Sequence, residues 1–181
     1  LESVPFTGTF IGNGYTLKNI KIDATTDYVG IFGYNKGTIR GFNVENISVK
    51  GNNYVGGITG HNLGNIESMI VTGSVFGNST IGGIAGDSQK VIKNILLKNI
   101  TITGNDTIGG ITGYAVSGTS SGIVENGSIT GENYTNCSNG RTYYPGNYGA
   151  YCSSDTTING VNVTGSNVID LTKVTDFNTT Y

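Results

Sequence analysis

Two cysteines, one histidine and twelve acidic side chains are the residues of this 181-residue chain suited to covalent, acid–base or metal chemistry. Both cysteines, Cys137 and Cys152, lie in "NYTNCSNGRTYYPGNYGAYC", Asn133 to Cys152, together with five of the eleven tyrosines. Two thiols so close in a loop-like segment read as one disulfide and an oxidising compartment. With His61 they make too few ligands for a closed zinc site, so no metal is expected. Glycoside hydrolysis needs two carboxylates roughly 5 to 9 Å apart, whereas Asp87, Asp106 and Asp155 fall in different parts of the repeat described below. The Gly-rich "VGGITG" lacks the lysine and helix of a phosphate cradle, and aspartates at calcium-repeat spacing are absent. The expectation is therefore no catalytic residue and no cofactor, with a polysaccharide-active enzyme as the lesser alternative.

The formal net charge is −2 and only 12% of residues are charged. No basic face is available for a phosphate backbone, which argues against nucleic acid as a partner. No apolar run reaches the roughly 20 residues of a membrane-spanning helix. Starting at Leu1 without a leader, the sequence reads as a mature or excised piece forming one domain, 1–181. Glycosylation acceptor patterns at Asn46, Asn78, Asn99, Asn105, Asn126, Asn133, Asn136, Asn162 and Asn178 favour the extracellular or cell-surface side.

What positions these residues is a repeat. "IFGYNKGTIRGFNVENISVKG", "ITGHNLGNIESMIVTGSVFG", "IAGDSQKVIKNILLKNITITG" and "ITGYAVSGTSSGIVENGSITG" align on Gly33, Gly60, Gly86 and Gly113, every 26 or 27 residues. Six residues past the anchor stand Ile39, Ile66 and Ile92, with Thr119 the exception. Phe42 and Val44, Met69 and Val71, Ile95 and Leu97, then Gly122 and Val124 follow in strand-like alternation. Val49, Val75, Ile102 and Ile129 form a third apolar group before a closing glycine. Each unit reads as about three strands of four to six residues joined by Gly/Asn turns. A coil that stacks equivalent residues about 4.8 Å apart accounts for their constant character, and glycine would recur where the coil bends with positive φ.

The segment "FTGTFIGNGYTLKNIKI" aligns with Leu17, Ile20 and Ile22 at the positions of Ile39, Phe42 and Val44; "CSSDTTINGVNV" does so with Ile158, Val161 and Val163. The expected fold is an all-β, right-handed parallel β-helix of about six coils, with repeats starting near 6, 28, 54, 81, 108 and 148. The entry segment, followed by "YVGIFGYNKGTIRGFNVENISV" and "YVGGITGHNLGNIESMIVTGSV", resembles the GLUG-motif repeats of bacterial and archaeal surface proteins. That resemblance implies a parallel β-helix in an adhesin-like or otherwise non-catalytic surface region, and supplies no catalytic residue.

The last alignment puts Cys152 at an anchor position and leaves an insertion at about 132–147, tied to the coil by the disulfide. His61, beside anchor Gly60, reads as a variable turn residue. Within the insertion Tyr134, Arg141, Tyr143, Tyr144, Tyr148 and Tyr151 are candidates for partner contact, the other reading being that they fold back over an apolar strip. Low charge and sheet edges without evident caps point to a homo-oligomer, filament or sheath. An adhesive stalk contacting a cell-surface glycan or protein through the tyrosines is the alternative.

Overall fold

The computed structural model describes residues 4–116, 120–142, 149–163 and 168–169. They form an all-β parallel solenoid of about five turns. Each full coil visits three walls. A long wall contains Thr38–Arg40 and Asn43–Lys50, then Asn65–Phe76, then Ile92–Thr103, then Ser121–Glu125 and Ser128–Thr130. A second wall stacks Asn53–Gly56, Ser79–Gly82, Asp106–Gly109 and Asn133–Asn136, and a third stacks Tyr34–Asn35, Thr59–Asn62, Ala85–Ser88, Thr112–Ala115 and Asn139–Thr142. The short strands are four residues long in the middle coils, but the long wall runs as single 12-residue strands there rather than the expected short ones. Left-handed residues bend it: Ser68 and Asn94 at one bend, Asn46, Gly73, Asn99 and Asn126 at the next, where the register shifts between Val44 and Ile47 and between Leu97 and Ile100.

The apolar columns stack as the repeat predicts. Ile39 pairs in register with Ile66 and Ile66 with Ile92, while Val44, Val71, Leu97 and Val124 form one column and Val49, Val75, Ile102 and Ile129 another. All are buried and belong to one continuous core. Polar columns run beside them: Asn35 Nδ2 donates to Asn62 Oδ1 at 2.8 Å, and Asn62 Nδ2 to Ser88 Oγ at 3.0 Å, all three buried. A buried amide is tolerated because its neighbour one coil away satisfies it.

Both ends depart from the sequence alignment. Phe10, rather than Leu17, pairs with Ile39, while Leu17 pairs with Val44 and Ile22 with Val49. Val44, Ile47 and Val49 have the same spacing as Ile39, Phe42 and Val44, so apolar spacing alone fits either register. Stacking favours the one that keeps 27 residues between Leu17 and Val44. Phe6, Phe10, Phe32 and Phe42 then plug this end of the core, with neighbouring ring centroids 5.1 to 5.4 Å apart.

At the other end, the described part of the expected insertion, up to Thr142, continues the coil, and 143–148 lie outside the described residues. Asn133–Asn136 pairs with Asp106–Gly109, Asn139–Thr142 with Thr112–Ala115, and Gly149–Ser153 with Ser121–Glu125. Gly140, not Cys152, is the next anchor, and Cys152 continues the Val124 column. Ile158 continues the Ile129 column, after which Asn159 and Gly160, both with positive φ, turn the chain into a hairpin in which Val161 pairs antiparallel with Ile158. The sixth unit is thus confined, among the described residues, to the long wall and this hairpin.

The disulfide Cys137–Cys152, with Cα atoms 5.8 Å apart, is therefore internal. Cys137 stands where the preceding coil has Gly110, a position that must be glycine because a Cβ there would collide with the Cys137 carbonyl of the next coil. Both half-cystines are buried in the core. They lie near the C-terminal end of the described core, in strand registers of the solenoid rather than on its surface.

Candidate functional site

The recurrent anchor glycines serve close approach rather than bending. Gly60, Gly86 and Gly113 lack the positive φ expected of them, and Gly33 alone among the anchors has it. A Cβ on Gly86 would instead strike the backbone of Tyr54, and the same holds for Gly60 against Tyr28, Gly113 against Thr80 and Gly140 against Thr107. The bends are made by the struck residues. Tyr28, Tyr54, Thr80, Thr107 and Tyr134 have φ of 58°, 55°, 61°, 59° and 45°.

This packing brings two columns together. One is the left-handed column just named, on the second wall; the other follows the anchors on the third wall, where Tyr34, His61, Asp87, Tyr114 and Arg141 stack in register. Between them lies a cleft of about 280 Å³, to which Ser79 and Asp106 also contribute. At its start Tyr28 and Tyr54 stack 4.7 Å apart and nearly parallel, and Tyr34 packs on His61 at 4.8 Å. In its middle Asp87 Oδ2 lies 2.8 Å from His61 Nδ1. The other oxygen, Oδ1, is buried without a hydrogen-bond partner among the described residues. At its far end the Arg141 guanidinium sits 4.3 Å from the Tyr134 ring centroid and 5.9 Å from that of Tyr114. Burial, then the nearby Tyr54, Asp27, Asp87 and Tyr34, push the Tyr28 phenol above its ordinary pKa. At neutral pH it is a hydrogen-bond donor.

Of the residues singled out in sequence, Tyr134 and Arg141 join this site, at its end. Tyr151 lies in the long-wall strand Gly149–Ser153, opposite Ile123. Tyr143, Tyr144 and Tyr148 lie outside the described residues. His61 lines the cleft, its Nδ1 close to Asp87 Oδ2 one coil on but outside hydrogen-bond geometry. The position shared by Tyr54, Thr80, Thr107 and Tyr134, six residues before an anchor glycine, is the signal that finds the rest.

The described acceptor asparagines Asn46, Asn78, Asn99, Asn105, Asn126, Asn133, Asn136 and Asn162 are all exposed, and Asn178 lies outside the described residues. Four of them use the nitrogen that a glycan would occupy: Asn46 donates to Asn19, Asn78 to Asn53, Asn105 to Asn78 and Asn126 to Asn99. Among the described residues no three His, Cys, Asp or Glu side chains converge to hold a metal ion, and no helix is long and apolar enough to cross a membrane. No protein-family model matches the chain, and no curated protein or solved structure matches it either.

Proposed function

We propose that the chain is a non-catalytic, extracellular adhesive module, a rigid solenoid that presents the cleft between its second and third walls to a partner on a surface. The observation that carries this reading is the use of Tyr and Thr at left-handed positions along the cleft. β-Branched and bulky residues are strained there, by about 1 to 3 kcal/mol each, and such strain clusters at binding sites. The buried disulfide and exposed acceptor asparagines support an oxidising, extracellular setting, and the resemblance to GLUG repeats points to cell surfaces. The test is adhesion of beads coated with the non-reduced protein to intact cells and extracellular matrix. Adhesion reduced by Tyr54→Ala supports the proposal; beads that never adhere, or that adhere equally with Tyr54→Ala, overturn it.

Self-association into a filament or sheath is a second reading, favoured by the first coil. Among the described residues Thr9–Ile11, Thr16–Lys18 and Lys21–Asp23 pair on one side only, which leaves strand edges beside the phenylalanine plug. Such edges template pairing with another chain. Electron microscopy of the native material, with mass measured alongside, tests it: regular polymers support assembly, and single short rods remove it.

A further inference from the structure

We infer that the cleft binds a neutral, extended oligosaccharide lying along the solenoid axis. This rests on the adhesive reading and names the ligand class for it. The columns from Tyr28 to Tyr134 climb four coil spacings, roughly 19 Å at 4.8 Å each, so the site is a groove that fits a linear chain.

Its chemistry selects among linear chains. A peptide gains affinity in such a groove by pairing its backbone with a free strand edge. Here the inner strands on both sides, Ser79–Gly82 and Asp106–Gly109 on the second wall and Thr59–Asn62, Ala85–Ser88 and Thr112–Ala115 on the third, spend their backbone groups on the coils above and below. A nucleic acid or acidic glycan would bring its charge to Asp87 and Asp106, against the single cation of Arg141. A neutral sugar meets neither obstacle. Its hydroxyls can donate to the carboxylate of Asp106, which lines the cleft and is only half-buried. They can also accept from the Tyr28 phenol, which is held protonated, while the C–H faces of its rings pack on tyrosine.

The Asn-lined bend of the long wall is the internal control. Asn46, Asn99 and Asn126 take the same left-handed backbone there and spend their side chains on one another's columns. Along the cleft the left-handed positions carry tyrosine rings and threonine hydroxyls, whereas on the long wall they carry asparagine, glycine and one serine, Ser68. The backbone geometry therefore does not demand tyrosine.

The experiment is isothermal titration of the intact, oxidised protein with hexasaccharides of cellulose, amylose, mannan and chitin. Hexagalacturonate is the acidic comparison, and each saccharide is weighed by mass spectrometry after incubation. The expected result is binding of at least one neutral hexasaccharide, tighter than its disaccharide, and about tenfold weaker in Tyr54→Ala. Arg141→Ala, at an exposed position of the cleft's far end, should weaken the hexasaccharide and leave the melting temperature unchanged. No neutral binding at millimolar concentration, with bead adhesion intact, overturns the ligand class and leaves the adhesive reading standing. Preference for hexagalacturonate, or affinities that neither variant changes, overturns it as well. Loss of both adhesion and binding removes both readings. Cleaved saccharide keeps the glycan in the groove and overturns the non-catalytic assignment.

Discussion

Of the columns of left-handed residues that climb the solenoid, two solve the same bend in opposite ways, one on the long wall and one beside the cleft. The first, Asn19, Asn46, Gly73, Asn99 and Asn126, uses the residue types that tolerate positive φ, and its amides bond coil to coil at 2.8 Å and 2.6 Å. The second, Tyr28, Tyr54, Thr80, Thr107 and Tyr134, solves the same bend with residues that resist it. One column is chosen for its backbone and the other in spite of it. Comparing them separates scaffold from candidate surface without reference to any relative.

The comparison breaks most severely where the cleft columns are held together. Gly86→Ala places a methyl group against the Tyr54 backbone and the Gly60 carbonyl, neither of which can rotate away. A loss of about 3 kcal/mol or more is expected, at the upper end for overpacking, read from urea midpoints. An alanine that costs under about 1 kcal/mol would mean that the columns can move apart.

Next in size is the disulfide. A 15-residue separation corresponds to about 3 kcal/mol of loop-closure stabilisation, and here the bond is also buried in the core. Replacing both Cys137 and Cys152 with Ser should lower the melting temperature and speed amide exchange in the coil carrying Tyr134 and Arg141 first, with the Asn19 and Asn46 end affected last. Exchange unchanged in Asn133–Asn136 and Asn139–Thr142 would return the bond to the role of a loop tie.

A smaller pair of changes sharpens the contrast by its sign. Asn126→Ala puts an alanine at φ 50° and removes the bond to Asn99, and should cost about 1 to 2 kcal/mol. Thr80→Asn puts a tolerant residue where a β-branched one is strained, and should stabilise by about 0.5 to 1 kcal/mol while it weakens binding. Two losses of equal size would remove the distinction between the columns.

The sequence shows the scaffold well because stacking imposes one residue character per column. Ile39, Ile66 and Ile92 lie where the period puts them. The ends are harder because the apolar spacing of Ile39, Phe42 and Val44 recurs in Val44, Ile47 and Val49, five residues on. Hence Leu17 is misplaced by one strand, and Cys152, taken for an anchor, makes the in-register strands Asn133–Asn136 and Asn139–Thr142 look like an insertion. The cleft is illegible for another reason. His61 and Asp87 already align beside their anchors, but variation down a column resembles an unconstrained turn until the left-handed column is known to face it. Tyr28 and Tyr54 look like ordinary strand residues, since nothing local in the sequence marks positive φ at a tyrosine.

The smallest expected effect concerns the Tyr28 phenol. Its pKa is raised in the folded protein, first by burial and then by its neighbours, so folding favours the protonated form. The associated stability is fully present below about pH 10, where the unfolded phenol also holds its proton. It is lost as pH rises through the folded value, because the unfolded chain ionises first. Wild-type protein should therefore lose slightly more stability between pH 8 and pH 11 than Tyr28→Phe, which has no proton to lose at this site. Absorbance titration should show one late-ionising tyrosine that the variant lacks. If the two proteins decline in parallel and the late tyrosine persists, the cleft is as wet at Tyr28 as the open surface. The aromatic column would then differ from the asparagine column in composition alone, with no special environment to offer a ligand.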